Sequence, residues 1–230
     1  MRITGLTHPL GAPVVAFAVA HGEHPRVTMF DHGYLPVRPL AATMSDGEIV
    51  FTWLVREVVA ADHRPPERHT VYVAPLGEDP VRHQRIGAYA IVLSQRGILG
   101  TVNSVATPAP GAWTLPGGGV DAGESPSDAV LREVFEETGQ EVVIDRVLSL
   151  ESEHWVGRSM KGTLEDFHAL RIIYGATCEA PSDPVVHDVG GSTFRADWVP
   201  TRTWRTLNWT NGSRALLAQY ARKLSRASYS

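Results

Sequence analysis

One segment of the sequence, residues 118–140, constrains the fold most because it marks both ends of a helix. Ser125 followed by Pro126 is typical of a helix start, since serine caps free amides and proline is tolerated in the first turn. Gly139 is typical of a helix end. Projected at about 100° per residue, the residues between these limits separate into an apolar side and an acidic side. The apolar side contains Val130, Leu131, Val134 and Phe135, and the acidic side contains Glu133, Glu136 and Glu137, with Arg132 at its edge.

Three carboxylates on one helix face repel each other unless another group compensates their charge. Acidic helix faces are usually solvated surfaces with no further role. Here a loop at residues 115–120, which contains Gly117, Gly118 and Gly119, precedes the helix and allows a backbone or ligand to approach closely. Clustered carboxylates beside such a loop suit a hard divalent cation, which prefers oxygen ligands. The pattern therefore predicts metal-dependent phosphate chemistry.

The same residues resemble the signature of the Nudix hydrolase family. That signature is a glycine, five residues, a glutamate, seven residues and then Arg-Glu-aliphatic-x-Glu-Glu-x-Gly-aliphatic. Gly118 and Glu124 fill its first two fixed positions, and residues 132–139 fill the rest. Gln140 stands where the family has an aliphatic residue, which predicts a weaker packing contact but no loss of a chemical group. With this many fixed positions, the match is far more specific than a short glycine motif.

The resemblance implies that this segment, the box (residues 118–140), binds Mg²⁺ or Mn²⁺. Carried to matching positions, the implied metal ligands are the carbonyl of Gly117 and the carboxylates of Glu133, Glu136 and Glu137. Such a cation would polarise a diphosphate while a carboxylate takes a proton from water. The implied reaction is cleavage by water of the phosphoanhydride of a nucleoside diphosphate linked to another moiety.

Roles for individual residues follow from the same resemblance. The implied catalytic residues are Arg132, Glu133 and Glu136. Glu133 is the preferred general base, and a loop acid, Glu165 or Asp188, is the alternative. Arg132 carries a planar guanidinium that reaches several carboxylates at once. The positions implied to hold the loop and helix together are Gly118, Glu124 and Gly139.

Substrate choice lies outside the box. Trp155, Arg158 and Lys161 fall between two predicted strands, where a loop could stack a base or reach a phosphate. An ordinary exposed loop explains the same residues equally well. No accessory signature of a Nudix subgroup is convincing, so the nucleotide conjugate stays open. The alternative functions are a ligand sensor and a non-catalytic interaction or regulatory module, and the complete acidic face favours the enzyme over both.

The resemblance also implies a fold class, α/β, with a mixed sheet sandwiched between helices (α/β/α). We expect the Nudix hydrolase domain at residues 85–230 and a small α+β extension of unknown role at residues 1–84. In the extension, strands are predicted at 14–20, 27–30 and 70–73, and a helix at 46–61. In the second domain, strands are predicted at 88–93, 98–103, 141–150, 167–178 and 194–199. A short helix is predicted at 201–207, and a final helix capped by Ser213 or Asn211 carries Leu216, Leu217, Tyr220 and Leu224.

The composition excludes several classes of protein. Of 230 residues, 43% are hydrophobic, and the net charge of −4 provides no basic field for a nucleic-acid polymer. The single Cys178 excludes an internal disulfide framework and fits a reducing compartment. No apolar run approaches the roughly 20 residues that a membrane-crossing helix needs. We therefore expect a cytoplasmic protein that binds a nucleotide or nucleotide conjugate, without a membrane partner; a homodimer is compatible with the sequence.

Histidines are frequent in the first third of the chain, at positions 8, 21, 24, 32, 63, 69 and 83. Their spacings match no zinc-finger or cluster rule, and no cysteine lies near them. The sequence therefore predicts scattered surface histidines and no metal site there.

Overall fold

The computed structural model describes residues 1–65, 69–71, 78–159, 162–188 and 190–227, with side chains not described at 69–71 and 221–227. The chain divides into two compact units. The first contains Met1–Gly87, Ala122–Pro126 and Ser149–Ile172, and the second contains Ala88–Asp121, Ser127–Leu148 and Ile173–Ser230. The predicted domain boundary after residue 84 falls inside a strand, Val81–Ser94, and stays a prediction.

The first unit contains a four-stranded sheet and a short helix. Its elements are β1 (Arg2–Leu6), β2 (Val15–Ala18), α1 (Pro25–Asp31), β3 (Tyr34–Ser45) and β4 (Glu48–Glu57). The strand order is β2-β1-β4-β3, in which β1 runs parallel to β4 and the other pairs are antiparallel. Strand β2 confirms the strand predicted at 14–20.

A hairpin formed by β3 and β4 occupies the region where a helix was predicted at 46–61, so that prediction is wrong. Asp46 and Gly47 have φ angles of 51° and 75°, which make them the two central residues of a tight hairpin turn. Along β4, Ile49, Phe51 and Trp53 are buried with only partly buried residues between them, which is the two-residue period of a strand. The run is apolar at nearly every position, so its sequence fits a helical stripe equally well.

The strand predicted at 27–30 is also wrong, because these residues belong to α1. Pro25 lies in its first turn, and the His24 side chain accepts a hydrogen bond from the Arg26 amide at 3.3 Å. Val27 and Met29 are buried. The alternation of buried Val27 and Met29 with less buried neighbours also fits a strand. The proline in the first turn is the signal that favours the helix. The strand predicted at 70–73 coincides in part with β5 (His69–Val71), and residues 72 and 73 lie outside the described residues.

A second, mixed sheet contains eight strands in the order β12-β7-β6-β11-β10-β5, with β8 paired to β7 and β9 to β6. Its further strands are β6 (Val81–Ser94), β7 (Gly97–Asn103), β8 (Trp113–Thr114), β9 (Gly117–Gly119), β10 (Val143–Arg158), β11 (Leu164–Thr177) and β12 (Thr193–Val199). Each of the strands predicted from residue 88 onward is confirmed. With helices α2 (Pro126–Thr138) and α3 (Asn211–Ala227), the sheet confirms the α/β class.

The core of the second unit joins its strands to α3. Leu217 is fully buried in a cluster with Ile91, Ile98 and Trp209, and Leu216 and Tyr220 pack against it. Leu224 lies outside the described side chains. The predicted short helix is a 3-10 turn, Trp204–Thr206.

The cap of α3 differs from the prediction of Ser213 or Asn211. The hydroxyl of Thr210 accepts a hydrogen bond from the Ser213 amide at 3.4 Å, so Thr210 occupies the capping position. The Ser213 hydroxyl instead accepts from the Leu115 amide at 3.3 Å. Among the helices in the part of the chain described here, none has the length and apolarity to cross a membrane.

The hairpin turn gives a first test. We expect Gly47→Ala to lower the free energy of unfolding by about 1–2 kcal/mol, because the new Cβ would be held in the left-handed region. No atom lies within 4 Å of that Cβ, so the loss reports backbone conformation alone. Urea unfolding followed by tryptophan fluorescence measures it, since Trp53 is buried in β4.

Gly212→Ala is the matched control. Its Cβ also meets no atom within 4 Å, and Gly212 lies in the first turn of α3 without a positive φ. This substitution should be neutral or stabilise the protein by up to about 1 kcal/mol. Equal effects at the two positions would contradict the turn assignment.

Candidate active site

Helix α2 confirms the helix predicted in the box and carries its charged residues. Gly139 follows it with a φ of 67°, and the Gly139 amide donates to the Phe135 carbonyl at 2.7 Å, which closes the last turn. The predicted apolar side is correct for Val130 and Val134, which are buried. It is wrong for Leu131 and Phe135, which are exposed. Phe135 stacks on His187 with ring centroids 5.1 Å apart.

Arg132 ties two of the box glutamates together and fastens the helix to the glycine loop. Its Nη1 donates to Glu133 Oε1 at 3.0 Å and to Glu136 Oε2 at 3.1 Å, and its Nη2 donates to the Gly119 carbonyl at 3.1 Å. One guanidinium thus offsets the repulsion between two carboxylates, as its planar, multiply donating shape permits. Asp121 lies 3.9 Å from the same Nη2.

The glycines of the loop are required by close contacts. An added Cβ at Gly118 would lie 2.4 Å from the carboxyl carbon of Glu133, so a side chain there would displace that carboxylate from the loop. Gly117 has a φ of 140°, and a Cβ there would lie 2.3 Å from the Ala88 carbonyl oxygen. Gly117 therefore lets the loop lie close to β6, and Gly118 lets the Glu133 carboxylate lie close to the loop.

Glu137 is the buried member of the acidic face, with 5% of its surface exposed. Its Oε2 accepts from the Gly117 amide at 3.0 Å, and its Oε1 accepts from the Thr193 hydroxyl at 2.5 Å and from Ser192 at 3.4 Å. Burial raises the pKa of Glu137 from 4.5 to about 7, assisted by the charge of Glu133 and opposed by these hydrogen bonds.

Ser192 and Thr193 have no part in the sequence prediction. They lie more than 50 residues beyond Glu137, and nothing in the box spacing indicates them. Their position follows from the pairing of β12 with β7, which places Thr193 opposite Asn103.

The donor groups of the box match the chemistry of Mg²⁺, which takes carboxylate and carbonyl oxygens. Glu133 and Glu136 offer carboxylates that Arg132 holds together, and the glycine loop supplies backbone carbonyls beside them. The three glutamates do not all converge within 4.8 Å, since Glu137 is turned toward Gly117 and Thr193. Their assignment as ligands, with Gly117, stays a prediction that this donor set supports.

The candidates for the general base lie in different places. Asp188 is beside the helix, because its amide donates to the Glu136 carbonyl at 3.2 Å. Glu165 lies on β11 in the first unit. Glu124, which was predicted to be structural and not a base, lies half-buried in the turn before α2. The choice of general base among Glu133, Asp188 and Glu165 stays a prediction.

Gln140 is buried, and the structure shows what replaces the expected apolar contact. Its Nε2 donates to the Thr138 carbonyl at 3.2 Å and to the Ser182 hydroxyl at 2.9 Å, and its Oε1 accepts from the Ser182 amide at 3.0 Å. The side chain is therefore satisfied by hydrogen bonds, as a buried amide requires.

Two of the three predicted substrate residues lie in a strand and not in the expected loop. Trp155 and Arg158 belong to β10, which continues to Arg158, and Lys161 lies outside the described residues. Trp155 stacks on Phe167 with centroids 5.4 Å apart, and Arg158 pairs with Glu78 at 2.6 Å. Both side chains therefore have structural partners, and their role in substrate binding stays a prediction.

Ionised Glu137 opposes folding of the metal-free protein, which gives a second test. Since its pKa rises from 4.5 to about 7, the stability it contributes is complete below pH 4.5 and is lost as the pH rises through 7. Glu137→Gln does not titrate. We therefore expect the stability of the wild type relative to this variant to fall by roughly 1–3 kcal/mol across that window. Urea unfolding in the presence of a chelator measures the difference.

Glu141→Gln is the control for this pH dependence, because Glu141 is an exposed acid just beyond the same helix. Its stability difference from the wild type should stay within about 0.5 kcal/mol at every pH. A difference between wild type and Glu137→Gln that is constant from pH 4 to pH 8 would show that the Glu137 carboxyl is not destabilised by burial.

The family model for the NUDIX domain matches residues 83–220. An RNA pyrophosphohydrolase of Cereibacter sphaeroides is 41% identical over 49 residues, which are 21% of this chain and 30% of that protein. Nudix hydrolase 26, chloroplastic, of Arabidopsis thaliana is 47% identical over 47 residues, which are 20% of each chain. The chain thus spans less than a third of the length of these relatives. A MutT NUDIX hydrolase structure from Burkholderia pseudomallei is 25% identical, with a TM-score of 0.43, and the match covers 60% of this chain and 98% of that one. Since the domain model matches more than half of the sequence, this chain belongs to the Nudix family.

Proposed function

We propose that this protein is a Nudix hydrolase that cleaves the phosphoanhydride of a nucleoside diphosphate linked to another moiety, using Mg²⁺, with Mn²⁺ as a substitute. The observation that carries the proposal is the Arg132 bridge between Glu133 and Glu136. It gathers carboxylates beside a loop whose glycines admit a close ligand. The names of two relatives, an RNA pyrophosphohydrolase and a Nudix hydrolase, agree with phosphoanhydride cleavage.

The charged residues of the box and the carbonyl of Gly117 have defined parts in this proposal. The cation, held by Glu133, Glu136, Glu137 and the Gly117 carbonyl, would supply Lewis-acid polarisation of the diphosphate. Glu133 takes the proton from the attacking water. Arg132 keeps Glu133 and Glu136 close, because its guanidinium donates hydrogen bonds to both carboxylates.

Two supporting parts fix the loop against the helix. The Gly117 amide donates to Glu137, and Arg132 Nη2 donates to the Gly119 carbonyl, so the loop is held at both of its ends. Gly118 leaves space for the Glu133 carboxylate. The donor groups are thereby positioned before a substrate arrives, which limits the reorganisation that catalysis requires.

Substitution of the proposed base tests the mechanism. We expect Glu133→Gln to lower kcat at least about a hundredfold, because the amide cannot accept the proton. The fold should be retained, since the amide oxygen can still accept from Arg132. Phosphate release is measured at saturating substrate and magnesium, and circular dichroism confirms folding. Glu141→Gln is the matched control and should keep activity within about twofold. Unchanged turnover in Glu133→Gln, with a lost rate in Asp188→Asn, would move the base to Asp188.

The substrate class is tested with a panel of phosphoanhydrides assayed with and without magnesium. The panel contains nucleoside triphosphates, nucleoside diphosphate sugars, dinucleotides, ADP-ribose and a 5′-triphosphorylated RNA. We expect turnover of at least one nucleoside diphosphate conjugate, its loss with chelator and its recovery with added Mg²⁺. Tight binding of a conjugate without cleavage would favour the ligand sensor, and cleavage indifferent to chelator would contradict the metal assignment.

A further inference from the structure

A second group of potential metal ligands lies within the first unit, away from the box sequence. His21, His154 and Asp166 each offer one ligand atom, and the three atoms lie within 4.8 Å of one another. His154 Nε2 is 2.5 Å from Asp166 Oδ1, and His21 Nε2 is 2.9 Å from the same oxygen. Among the described residues, no other group of histidine, cysteine and acidic side chains meets this criterion.

Neighbouring strands bring two of the three ligands together. His154 lies on β10 and Asp166 on β11, which are adjacent in the sheet. Ser152 and His168 lie two residues from them on the same strands, and alternate residues of a strand share a face. The resulting cross-strand contacts are His154 to Asp166 and Ser152 Oγ to His168 Nε2, the latter at 2.9 Å.

The third ligand comes from a tight turn that approaches the His154 ring. Gly22 has a φ of 79°, and a Cβ there would lie 3.1 Å from His154 Cε1. The Gly22 amide donates to His168 Nδ1 at 3.1 Å, and the Glu23 amide donates to the Ala20 carbonyl at 3.1 Å. These contacts fix the turn and hold the His21 side chain over the strands.

The environment of His21 Nε2 favours a metal site over a cluster of side chains that only hydrogen-bond to each other. This atom is buried and lies 2.9 Å from Asp166 Oδ1, but the angles of this contact are poor for a hydrogen bond. A buried polar atom without a hydrogen bond is uncommon in native structures and calls for a partner. A cation bonded to the ring nitrogen would satisfy it.

His168 forms the wall of this group and is not a fourth ligand. Its Nδ1 accepts from the Gly22 amide and lies 2.9 Å from Gln84 Nε2, which leaves Nε2 to donate to Ser152. Both ring nitrogens are therefore occupied. Its ring packs edge-on against His21 and His154, with centroids 5.8 and 5.9 Å away.

We propose that His21, His154 and Asp166 form a binding site for a divalent transition metal, Zn²⁺ foremost. Two imidazoles and one carboxylate are one of the ligand sets of three-ligand zinc centres, whereas Mg²⁺ prefers oxygen ligands. Ligands on a tetrahedral Zn²⁺ lie about 3.3 Å apart, given bond lengths near 2.0 Å. The observed separations of 2.5 and 2.9 Å need to open by less than about 1 Å, which small side-chain rotations provide.

The surroundings leave room for a fourth ligand. The three side chains keep between 14% and 22% of their surface exposed, so water or a solvent anion can complete a four-coordinate site. Arg82 Nε lies 3.7 Å from Asp166 Oδ2 and is itself largely exposed, so it competes only weakly for the carboxylate. This site does not depend on the proposed hydrolase function, because it shares no residue with the box.

Zinc titration of the full-length protein tests the proposal. Metal-free protein is titrated with Zn²⁺ by calorimetry in excess Mg²⁺, which occupies oxygen-only sites. We expect one Zn²⁺ per chain to bind to the wild type, and His154→Gln and Asp166→Asn to weaken binding by at least tenfold, about the smallest effect typical of even outer-shell changes. His21→Gln removes the ligand that lies in a turn and provides an independent variant should a strand substitution prevent folding.

Two controls separate this site from the remainder of the chain. His83→Gln changes an exposed histidine of the same unit and should bind Zn²⁺ as the wild type does. Glu136→Gln, in the box, should likewise keep the zinc equivalent. Thermal unfolding gives a second readout, since Zn²⁺ should raise the Tm of the wild type and both controls but not of the three ligand variants. The proposal would be overturned if Zn²⁺ did not shift the Tm of the wild type, or if it shifted the Tm of all six proteins equally. The three side chains would then be a hydrogen-bonded cluster without a metal.

Discussion

Arg132 compensates the charge of two of the three carboxylates on the acidic face of α2. Carboxylates three and four residues apart on a helix repel each other, and an isolated helix with this sequence would be weakened by that repulsion. Here one guanidinium donates to Glu133, to Glu136 and to a loop carbonyl at once. The same contacts that make the acidic face tolerable also attach the glycine loop to the helix. Charge compensation and loop position are thus a single structural feature.

The charge of Glu137 is compensated differently, by neutral hydrogen-bond donors in a buried position. It receives no hydrogen bond from Arg132 among those described and is nearly fully buried, so the fold offsets its charge with Gly117, Ser192 and Thr193. These donors do not restore its ordinary pKa, since burial dominates. Ionisation of this buried carboxyl near pH 7 therefore lowers the stability of the protein without a cation. The proposed cation site would explain why a glutamate is buried beside the glycine loop, because a cation stabilises the ionised form.

The sequence was sufficient where a local signal had one structural meaning. Ser125-Pro126 and Gly139 mark the ends of α2, and the box spacing indicates the charged face, because helix geometry relates nearby residues directly. It was insufficient at 46–61, where a run of apolar residues fits either period and the Asp46-Gly47 turn decides the outcome. The Thr193 contact to Glu137 could not be found at all, since the two residues are 56 positions apart and lie on a strand and a helix.

The cluster of His21, His154 and Asp166 is the clearest case of this limit. Spacing rules for metal sites describe ligands that are close in sequence, and these three come from a turn and two strands. Only the alternation of Ser152 with His154, and of Asp166 with His168, was visible in the sequence, and it indicates a shared face without saying what lies opposite. The proposed site in the first unit therefore could not be found from the sequence, whereas the acidic face proposed to bind a cation in the second unit could. The difference lies in how far along the chain the ligands are separated, and it has no bearing on how well either group of side chains would hold a cation.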